Sequence, residues 1–502
     1  MKVCHSITPI GEKHTDKDLA HQWNFIDWDK VRSDVNRLQT RIAKATQERK
    51  WNLVKRLCYL LTHSHSAKLL AVRIVTQNKG KRTPGIDGEL WNTASEKMGA
   101  TLNLSDQQYR AQPLRRIYIP KPGKDTKRPI SIPTMYDRAM QALYGLALQP
   151  IAETTADPRS FGFRLFRSAQ DASEYAFLCL SKKSSAQWIL EGDIKGCFDS
   201  IAHDWLMENI PMDRSILAQF LKAGFVFDEQ LFPTDRGTPQ GGIISPILAN
   251  MALDGIEIVL NEKFTMMKVH FIRYADDFLV TSPTKEIAEE ACENIREFLS
   301  GRGLELSIEK TVITHIDDGF DFLGYNFRKY SRTLLIKPSK KSIESITNKI
   351  RTTIRIAKAW SQDVLIKTLN PIIRGWTNYH NHNVAADTFR KLDAYIWTAT
   401  WQWGKRRHPN KGHKWIARKY WHSVGNRNWV FQSKENTLLQ FSDAKIQRHS
   451  IPKLNMNPFL DRNYFHRRKD RMQKHTPWIQ TKLSFFALPP VKRVVECASR
   501  MR

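Results

Sequence analysis

A short acidic turn between two apolar stretches occupies residues 268–282, which read KVHFIRYADDFLVTS. Two β-prone stretches joined this tightly predict an antiparallel hairpin with Asp276 and Asp277 at its tip. A second stretch, WILEGD at residues 188–193, is typical of a buried strand that ends on an acid, Asp193. A strand that ends in a carboxylate presents it at the edge of a sheet, so we expect the three acids to lie close together. The chain is therefore expected to fold around a sheet that carries a concentrated negative site.

Three carboxylates this close cannot all stay ionised without cations. Oxygen ligands of this kind select Mg²⁺, which keeps open positions for the phosphates of a substrate. Two such ions about 4 Å apart can activate an attacking hydroxyl and stabilise the leaving oxygen of a phosphoryl transfer. Taken alone, an Asp-Asp pair in a turn is more often an ordinary solvated turn, so the rest of the sequence has to decide between the two interpretations.

Positive charge is concentrated in the last third of the chain. Residues 1–330 carry 44 Lys and Arg against 41 Asp and Glu, whereas residues 331–502 carry 35 against 9, which leaves a net charge of +26. The same segment holds nine of the fifteen tryptophans. Charge of this density needs a polyanion to neutralise it, and interleaved basic and aromatic residues suit phosphate contacts and base stacking. The segment therefore indicates nucleic-acid binding, although any single tryptophan is more often part of a core.

Other classes of protein are excluded by composition. Six cysteines lie far apart without a CxxC pair, which excludes a disulfide scaffold and a cysteine-based zinc site. No apolar run approaches the roughly 18 residues that a membrane span needs, and the first 22 residues lack the apolar core of a signal peptide. We therefore expect a soluble protein of the cytoplasm with no membrane partner.

Apolar periodicity and turn residues predict the remaining elements. Helices are expected over 29–73, 134–150, 168–183 and 286–300 and, in a basic helical module, from 343 to about 404; strands or hairpins are expected over 115–133, 304–308 and 320–336. No internal repeat is visible along the chain.

Eight short motifs follow one another along the chain, and each of them is a weak pattern by itself. They are TPGIDG (83–88), RRIYIPKPGKDTKRPISIP (115–133), SFGFR with RSAQDA (160–172), ILEGDIKGCFDSI (189–201), GTPQGGIISPILANMAL (237–253), FIRYADDFLV (271–280), LSIEKT (306–311) and FDFLGYNF (320–327). In this order they resemble the motif blocks of the reverse transcriptases that group II introns encode, also called maturases. The resemblance implies an RNA-directed DNA polymerase that uses dNTPs and two Mg²⁺ ions.

The resemblance also implies roles for the acids and their neighbours. Asp193 and Asp276 would be the principal metal ligands, Asp277 would be the third catalytic acid, and the backbone carbonyl of Ile194 would lie near the metals. Phe198 would lie beneath the incoming sugar, where its ring would clash with a 2′-hydroxyl and so favour dNTPs. The alternative for this phenylalanine is ordinary core packing.

Four further residues are implied in holding the nucleotide. Lys121 and Arg128, on the hairpin of the fingers, would hold the triphosphate, and a solvated basic hairpin is the alternative. Gln240, in a PQGG turn, would touch the incoming nucleotide. Lys310 would donate a proton to the departing pyrophosphate, although a lysine in this position is most often only a surface residue.

Five residues are implied in contacts with primer or RNA. Leu323 and Gly324 resemble the primer grip of the family. The stretch LNPIIRGWTNYHNH in the basic third resembles the maturase thumb, called domain X. Within this stretch Arg374, Trp376 and Tyr379 are candidates for contact with RNA or primer, and thumb core is the alternative for Trp376.

The implied fold is α+β: a right-hand polymerase with fingers, a palm of antiparallel strands backed by helices, a helical thumb and a small basic C-terminal DNA-binding domain. We expect a flexible leader (1–22), an N-terminal extension with fingers (23–160), a palm with the remaining fingers segments (161–336), the thumb or domain X (337–408), the DNA-binding domain (409–471) and a tail (472–502). Many relatives continue into a His-Asn-His endonuclease with paired cysteine ligands, and we expect that domain to be absent here.

The leading hypothesis is an active reverse transcriptase that is also a maturase, assisting splicing and mobility by target-primed reverse transcription. The implied partners are group II intron RNA, a DNA target and primer, and dNTPs, within a ribonucleoprotein. Two alternatives stay open. One is an RNA-binding splicing cofactor whose polymerase is unused, and the other is a domesticated relative that serves defence or repair.

Overall fold

The computed structural model describes residues 15–120 and 126–475. The first part of the chain is helical, with a short 3₁₀ helix at Lys79–Arg82. Its helices are α1 (Asp16–Asn24), α2 (Trp28–Gln47), α3 (Trp51–Thr62), α4 (His65–Gln77) and α5 (Ala94–Asn103). Within the described ranges, no helix is both long enough and apolar enough to cross a bilayer.

The helical stretch expected over 29–73 is confirmed, and local backbone chemistry divides it into three helices. The side chain of Asp27 accepts hydrogen bonds from two free N–H groups at the start of α2, as N-cap residues do. Arg49 has a positive φ of 54°, which turns the chain between α2 and α3. Ser64 then caps α4 through the N–H of Ala67.

The middle of the chain alternates strands and helices. In order these are β1 (Leu114–Pro120), β2 (Lys127–Ile132), α6 (Met135–Thr155), α7 (Ala169–Leu180), β3 (Trp188–Asp193), α8 (Cys197–Ser200), α9 (His203–Asn209), α10 (Arg214–Lys222), β4 (Phe225–Phe227) and β5 (Gln230–Phe232). The hairpin expected over 115–133 is confirmed as the antiparallel pair β1–β2, which β4 and β5 extend into a sheet of order β2-β1-β4-β5. Helix α6 is buried along most of its length, so it forms the centre of the largest core.

The acidic hairpin belongs to a second four-stranded sheet. The elements that complete it are α11 (Ser245–Leu253), α12 (Ile256–Lys263), β6 (His270–Tyr274), β7 (Asp277–Ser282), α13 (Lys285–Ser300) and β8 (Val312–His315). The strand order is β6-β7-β3-β8 and every neighbouring pair is antiparallel, so we call it the palm sheet. Helix α13 packs on β3 and β7. The expected antiparallel sheet backed by helices is therefore confirmed.

The strand expected over 304–308 is wrong. The structure has only a single bridge there, between Leu306 and Ile194, and the strand that pairs with β3 is β8 further along the chain. After Leu306 the chain turns, because the N–H groups of Lys310 and Thr311 both bond to the carbonyl of Ser307. The alternation of apolar residues in this stretch reflects burial of its leucines beside the palm sheet rather than strand pairing.

A three-stranded sheet and a helical module follow the palm sheet. Their elements are β9 (Phe320–Phe322), β10 (Tyr325–Tyr330), β11 (Thr333–Pro338), α14 (Lys340–Ile356), α15 (Gln362–His380) and α16 (Ala386–Arg407), with a 3₁₀ helix at Ala357–Ala359. Ile346, Ile350 and Ile354 recur on one face of α14 and are buried in a core that the module shares with later residues. The helical module expected from 343 to about 404 is confirmed.

The last described elements close the molecule back on itself. They are α17 (His413–Tyr420), β12 (Trp421–Val424), β13 (Arg427–Phe431), a 3₁₀ helix at Phe441–Asp443 and α18 (Arg462–His475). Residues 413–441 pack on the helical module. Residues 444–475, which we call the return segment, begin against the helical module and then reach the N-terminal helices and the elements before β3: Phe459 packs between Ala43 and Leu165.

A buried cluster of charges fixes the return segment. The carboxylate of Asp171, at the start of α7, is fully buried and accepts from Arg468 Nη2 at 2.5 Å and from His449 Nε2 at 2.8 Å. Burial alone raises the pKa of such a carboxyl, but here the hydrogen bond from His449 and the charge of Arg468 outweigh burial and lower the pKa of Asp171. Two residues of the return segment thus depend on a single acid.

We expect Asp171→Asn to destabilise the protein by about 3 kcal/mol, because it leaves the buried guanidinium of Arg468 without its countercharge. Urea unfolding measures the loss, and limited proteolysis should cut within residues 444–475 sooner than in the unchanged protein. Since the pKa of Asp171 is lowered on folding, the difference should be full above the unfolded pKa near 4 and should shrink as the pH falls below it.

The control is Asp387→Asn, which removes an exposed acid paired with Arg390 on the same helix. Surface pairs of this kind contribute about 0–1 kcal/mol. Equal losses for the two variants would contradict the assigned role of the buried cluster.

Candidate active site

The three acids singled out by the sequence meet at one end of the palm sheet. Asp193 is the last residue of β3 and lies directly opposite Asp277, the first residue of β7. Asp277 also pairs with Tyr274 of β6 across the turn that contains Asp276. Ala275 has a positive φ of 59°, so the turn is tight. Register and turn geometry thus bring together carboxylates that are distant in sequence.

Crowding of these carboxylates perturbs their ionisation. Loss of hydration, together with the charges of Asp276 and Asp193 and a hydrogen bond to Asp193, raises the pKa of Asp277 to about 7. Loss of hydration and the charge of Asp193 also raise the pKa of Asp276. The side chain of Lys310 bonds to an acid of this group: its Nζ lies 2.5 Å from Asp193 Oδ2, and this bond raises the lysine pKa.

The site supplies oxygen ligands but not a complete metal cage. Among the residues with described positions, no set of three or more His, Cys, Asp or Glu side chains is arranged to hold a metal ion. Asp193 and Asp276 offer carboxylate oxygens, and the adjoining Ile194 is a buried residue whose backbone lies beside them. Oxygen-only donors with an excess of negative charge fit a hard divalent cation that takes its remaining ligands from substrate.

A buried arginine supports the acidic turn from behind. Arg273 of β6 is fully buried, and its guanidinium lies 2.5 Å from Asp254 Oδ1 and 3.0 Å from Asn250 Oδ1. The guanidinium Nη1 that bonds to Asn250 also lies 3.4 Å from the carbonyl oxygen of Ala275 in the turn. Burial raises the pKa of Asp254 to about 7 despite the opposing charge of Arg273. Sequence analysis missed this pair, and its signal was an arginine inside an apolar strand, a residue that is almost never buried without a partner.

Two glycines make room for the turn. A Cβ at Gly192 of β3 would lie 2.1 Å from the ring of Phe278, which crosses the strand beside the acids. A Cβ at Gly162 would lie 2.2 Å from the backbone nitrogen of Ala275. These two motif glycines are therefore required by the close approach of a ring and of backbone.

The described residues that the sequence implies in holding the nucleotide lie near the same end of the palm sheet. Arg128 stands on β2 opposite Ile119, and its charge lowers the pKa of Asp276 against the other influences there. The carbonyl of Gln240 accepts from the N–H of Ser131, also on β2, at 2.7 Å. The turn that carries Gln240 is thus docked on the hairpin. Lys121 lies outside the described residues.

Phe198 lies in α8, directly after the acid-bearing strand β3. Its ring is half-buried and makes an edge contact with Phe163 at 6.0 Å between centroids. Its carbonyl accepts from the N–H of Thr238, and Gly237 approaches the same backbone so closely that a Cβ would lie 2.6 Å from the Phe198 oxygen. The Gln240 amide Nε2 bonds to Asp199 at 3.0 Å. Phe198 and Gln240 are therefore neighbours, although they are distant in sequence.

The candidate primer-contact residues form a second group. Leu323 and Gly324 form the β9–β10 turn with positive φ angles of 50° and 78°. Tyr379 of α15 donates from its hydroxyl to the Leu323 carbonyl at 2.7 Å. The indole N–H of Trp376 donates to Ser342 at 3.1 Å, and its ring packs in the core of the helical module.

Four of the five candidate primer-contact residues line one groove, and Arg374 does not. The groove is lined by Asp321, Leu323, Gly324, Ser339, Lys341, Ser342, Ser345, Trp376 and Tyr379. Arg374 is half-buried on the same helix but does not line it. The packing of Trp376 favours the alternative of thumb core, with one edge left at the groove.

Comparison with known families finds three matches along the chain. A model described as reverse transcriptase (RNA-dependent DNA polymerase) matches residues 119–327, which include all three acids. A model for the N-terminal domain of reverse transcriptase matches residues 23–104, and one for the group II intron maturase-specific domain matches residues 343–421.

Individual proteins match over large parts of the chain. Protein YkfC of Escherichia coli strain K12 is 33% identical over 308 residues, which cover 52% of this chain and 80% of that protein. Group II intron-encoded protein LtrA of Lactococcus lactis subsp. cremoris is 31% identical over 371 residues, covering 60% of this chain and 61% of LtrA. Maturase-like protein 1 of Euglena gracilis is 26% identical over 372 residues, covering 72% and 77%. The match therefore spans less than two thirds of the length of LtrA.

We expect Gly162→Ala to lower the free energy of unfolding by about 1–3 kcal/mol, the usual cost of forcing extra volume into a packed site. The backbone of Ala275 cannot move away cheaply, because it is part of the acidic turn. Thermal or urea unfolding measures the effect. Gly99→Ala is the matched control: it lies in α5 with no atom within 4 Å of the added carbon, and should be neutral or stabilising by up to about 1 kcal/mol. An unchanged stability for Gly162→Ala would contradict the close contact.

Proposed function

Because the chain belongs to the family of group II intron-encoded reverse transcriptases and maturases, we propose that it synthesises DNA on an RNA template and also assists the splicing of a group II intron. The observation that carries the polymerase proposal is the pairing of Asp193 with Asp277 across neighbouring strands, with Asp276 in the adjoining turn. The reaction joins the 3′-oxygen of a primer to the α-phosphorus of a dNTP, while the bond to pyrophosphate breaks.

A reverse transcriptase domain implies a requirement for divalent metal ions. We propose two Mg²⁺ ions, held by Asp193, Asp276 and Asp277 with the carbonyl of Ile194. Bound there, such ions would lower the pKa of the attacking hydroxyl and would stabilise the leaving oxygen. The raised pKa values of Asp276 and Asp277 support this choice, because burial and the neighbouring carboxylates outweigh the charges of Arg128 and Lys310 there.

The chain's own residues would hold and orient the nucleotide. Arg128, with Lys121, would bind the triphosphate through charge-assisted hydrogen bonds. Lys310 is protonated at neutral pH, since its pKa is raised beside Asp193, and this supports its role as proton donor to the departing pyrophosphate. Gln240 would contact the nucleotide, and Phe198, beside it, would exclude a 2′-hydroxyl from the sugar site.

The groove at the β9–β10 turn would take the primer strand. Leu323 and Gly324 would position its end, and Arg374 and Tyr379 would contact primer or RNA from α15. Trp376 would support that helix mainly by packing. We assign residues 337–408 to the thumb and 409–471 to DNA binding, with the chain working as a ribonucleoprotein.

The second candidate function is a splicing cofactor whose polymerase is unused. The match of residues 343–421 to a maturase-specific domain favours it, and so does the net charge of +26 over residues 331–502. RNA binding of this kind needs the basic third of the chain but not the acids of the palm sheet.

We expect Asp276→Ala to reduce primer extension with dNTPs on an RNA template by at least about 100-fold, because transition-state charge loses its stabilisation. The same variant should still support splicing of the cognate intron RNA. Extension is measured on a labelled primer in Mg²⁺ buffer. The control, Asp318→Asn, removes an exposed acid in the turn that follows β8 and should extend normally. Full extension by Asp276→Ala would overturn the polymerase proposal. Loss of splicing in the same variant would show that splicing also needs the acids of the palm sheet.

Binding to intron RNA should depend steeply on salt. If the basic third neutralises about six phosphates, affinity should fall about 10³-fold between 50 and 200 mM monovalent salt, since condensed counterions are released on binding. Filter binding or fluorescence anisotropy over that range gives the slope of log affinity against log salt. An affinity that stays constant with salt would contradict phosphate neutralisation by this part of the chain.

A further inference from the structure

A cleft lined by tryptophans lies where α16, α17 and β13 meet. Its lining residues are Trp397, Trp401, His413, Lys414, Ala417 and Trp429, and we call it the tryptophan cleft. Its volume is about 560 Å³. None of these residues is among the individual residues proposed above to hold metal ions, nucleotide or primer.

The cleft has a rigid aromatic floor. Trp397 and Trp401 lie about one helical turn apart on α16. Their rings are parallel to within 4°, with 5.7 Å between centroids. Both rest on Trp421, a buried residue whose ring lies 5.0 Å from that of Trp401. Trp397 nevertheless keeps 41% of its surface exposed. A floor that is fixed from below and open from above is available for stacking.

The fourth tryptophan is held over the cleft by a strained backbone. Trp429 lies in β13 with φ of 63°, although bulky residues avoid this region. The pairing of β12 with β13 is irregular in this hairpin. The side chain is 54% exposed, so burial of the ring does not compensate for the strain. Strain of this kind is typical of binding sites, where a side chain has to be aimed.

The stretch of chain that lines the cleft is rich in positive charge. From Ala394 to Lys434 the sequence contains nine Lys and Arg and no Asp or Glu. Lys414 lines the cleft, and Lys411, Arg418 and Lys419 are exposed on or beside the same helix, α17. A protein partner with a mixed surface would leave this charge unpaired, whereas a phosphate backbone matches it along its length.

We propose that the tryptophan cleft binds an unpaired base of a single-stranded nucleic acid, with the base stacked on the tryptophans and the flanking phosphates on Lys414 and its neighbours. Stacking between bases and aromatic side chains is tolerant of sequence and combines with a basic groove in the same way in proteins that bind single strands. The inference rests on the proposed function only in that both require nucleic acid to reach the basic third of the chain. The strand is RNA or DNA, two sources of the same chemistry.

The test compares the binding of single-stranded RNA, single-stranded DNA and a duplex of the same sequence, each about 12 nucleotides long. Trp429→Ala and Trp397→Ala should each weaken single-strand binding about tenfold, because each removes one stacking surface. Trp429→Phe should recover most of the affinity. A larger loss with RNA or with DNA identifies the source of the strand. Duplex binding should change little, since its bases are already stacked.

Salt titration separates stacking from phosphate contact. The tryptophan variants should keep the unchanged protein's slope of log affinity against log salt, whereas Lys414→Gln should make it shallower by about 0.7. Trp51→Ala is the matched control, because it removes an indole that is 43% exposed on α3. Its binding should be unchanged, and thermal unfolding verifies that every variant is folded.

Unchanged single-strand affinity in folded Trp397→Ala and Trp429→Ala would overturn the inference, and so would equal losses with single strand and duplex. These results are distinct from a failure of the proposed function. If the protein shows no primer extension, the polymerase proposal fails, but the affinities predicted for the tryptophan variants are unchanged. If the polymerase is active and the tryptophan variants bind single strands normally, only the proposal for the tryptophan cleft fails.

Discussion

Repulsion among three carboxylates is the constraint to which the rest of the structure responds. The pairing of β3 with β7 places Asp193 opposite Asp277, and the turn adds Asp276, so that negative charge collects at one end of the palm sheet. Burial, together with the neighbouring carboxylates, raises the pKa values of Asp276 and Asp277. A fold that gained stability alone would not assemble such a group, because like charges this close are unfavourable. The proposed divalent ions, shared with an anionic substrate, would offset this repulsion.

The scaffold holds the acidic turn from the layer behind it. Arg273 is buried against Asp254 and Asn250 and reaches the carbonyl of Ala275, so the turn is held by its backbone rather than by its acids. Gly162 lets a neighbouring loop approach the same turn. The carboxylates of Asp193 and Asp276 are thereby left free of that network, with Lys310 as the cation that bonds to Asp193. The residues that hold the turn from behind are therefore different from the acids in front of it that are proposed to carry the chemistry.

Local patterns predicted the acidic hairpin, the strand before Asp193 and the helical module, because each is encoded by consecutive residues with a clear period. Long-range partners could not be predicted in the same way. The pairing of Arg273 with Asp254 and the crossing of residues 444–475 back to Asp171 join segments that no local signal connects. The wrong strand prediction at 304–308 has the same origin. The alternation of apolar residues there reflects burial, and the strand that pairs with β3 is β8. The positions of the candidate site residues followed from the motifs, but their hydrogen bonds did not.

If the acids hold divalent ions together with the substrate, Mn²⁺ should bind at this site in the presence of an RNA template, a DNA primer and a dNTP whose α-phosphate cannot react. Electron paramagnetic resonance follows this binding. We expect metal binding to depend on the nucleotide and to be weakened at least about tenfold in both Asp193→Asn and Asp276→Asn, since each removes a charged oxygen ligand. Equal Mn²⁺ affinity in the unchanged protein and in both variants would show that the acids do not hold the ions.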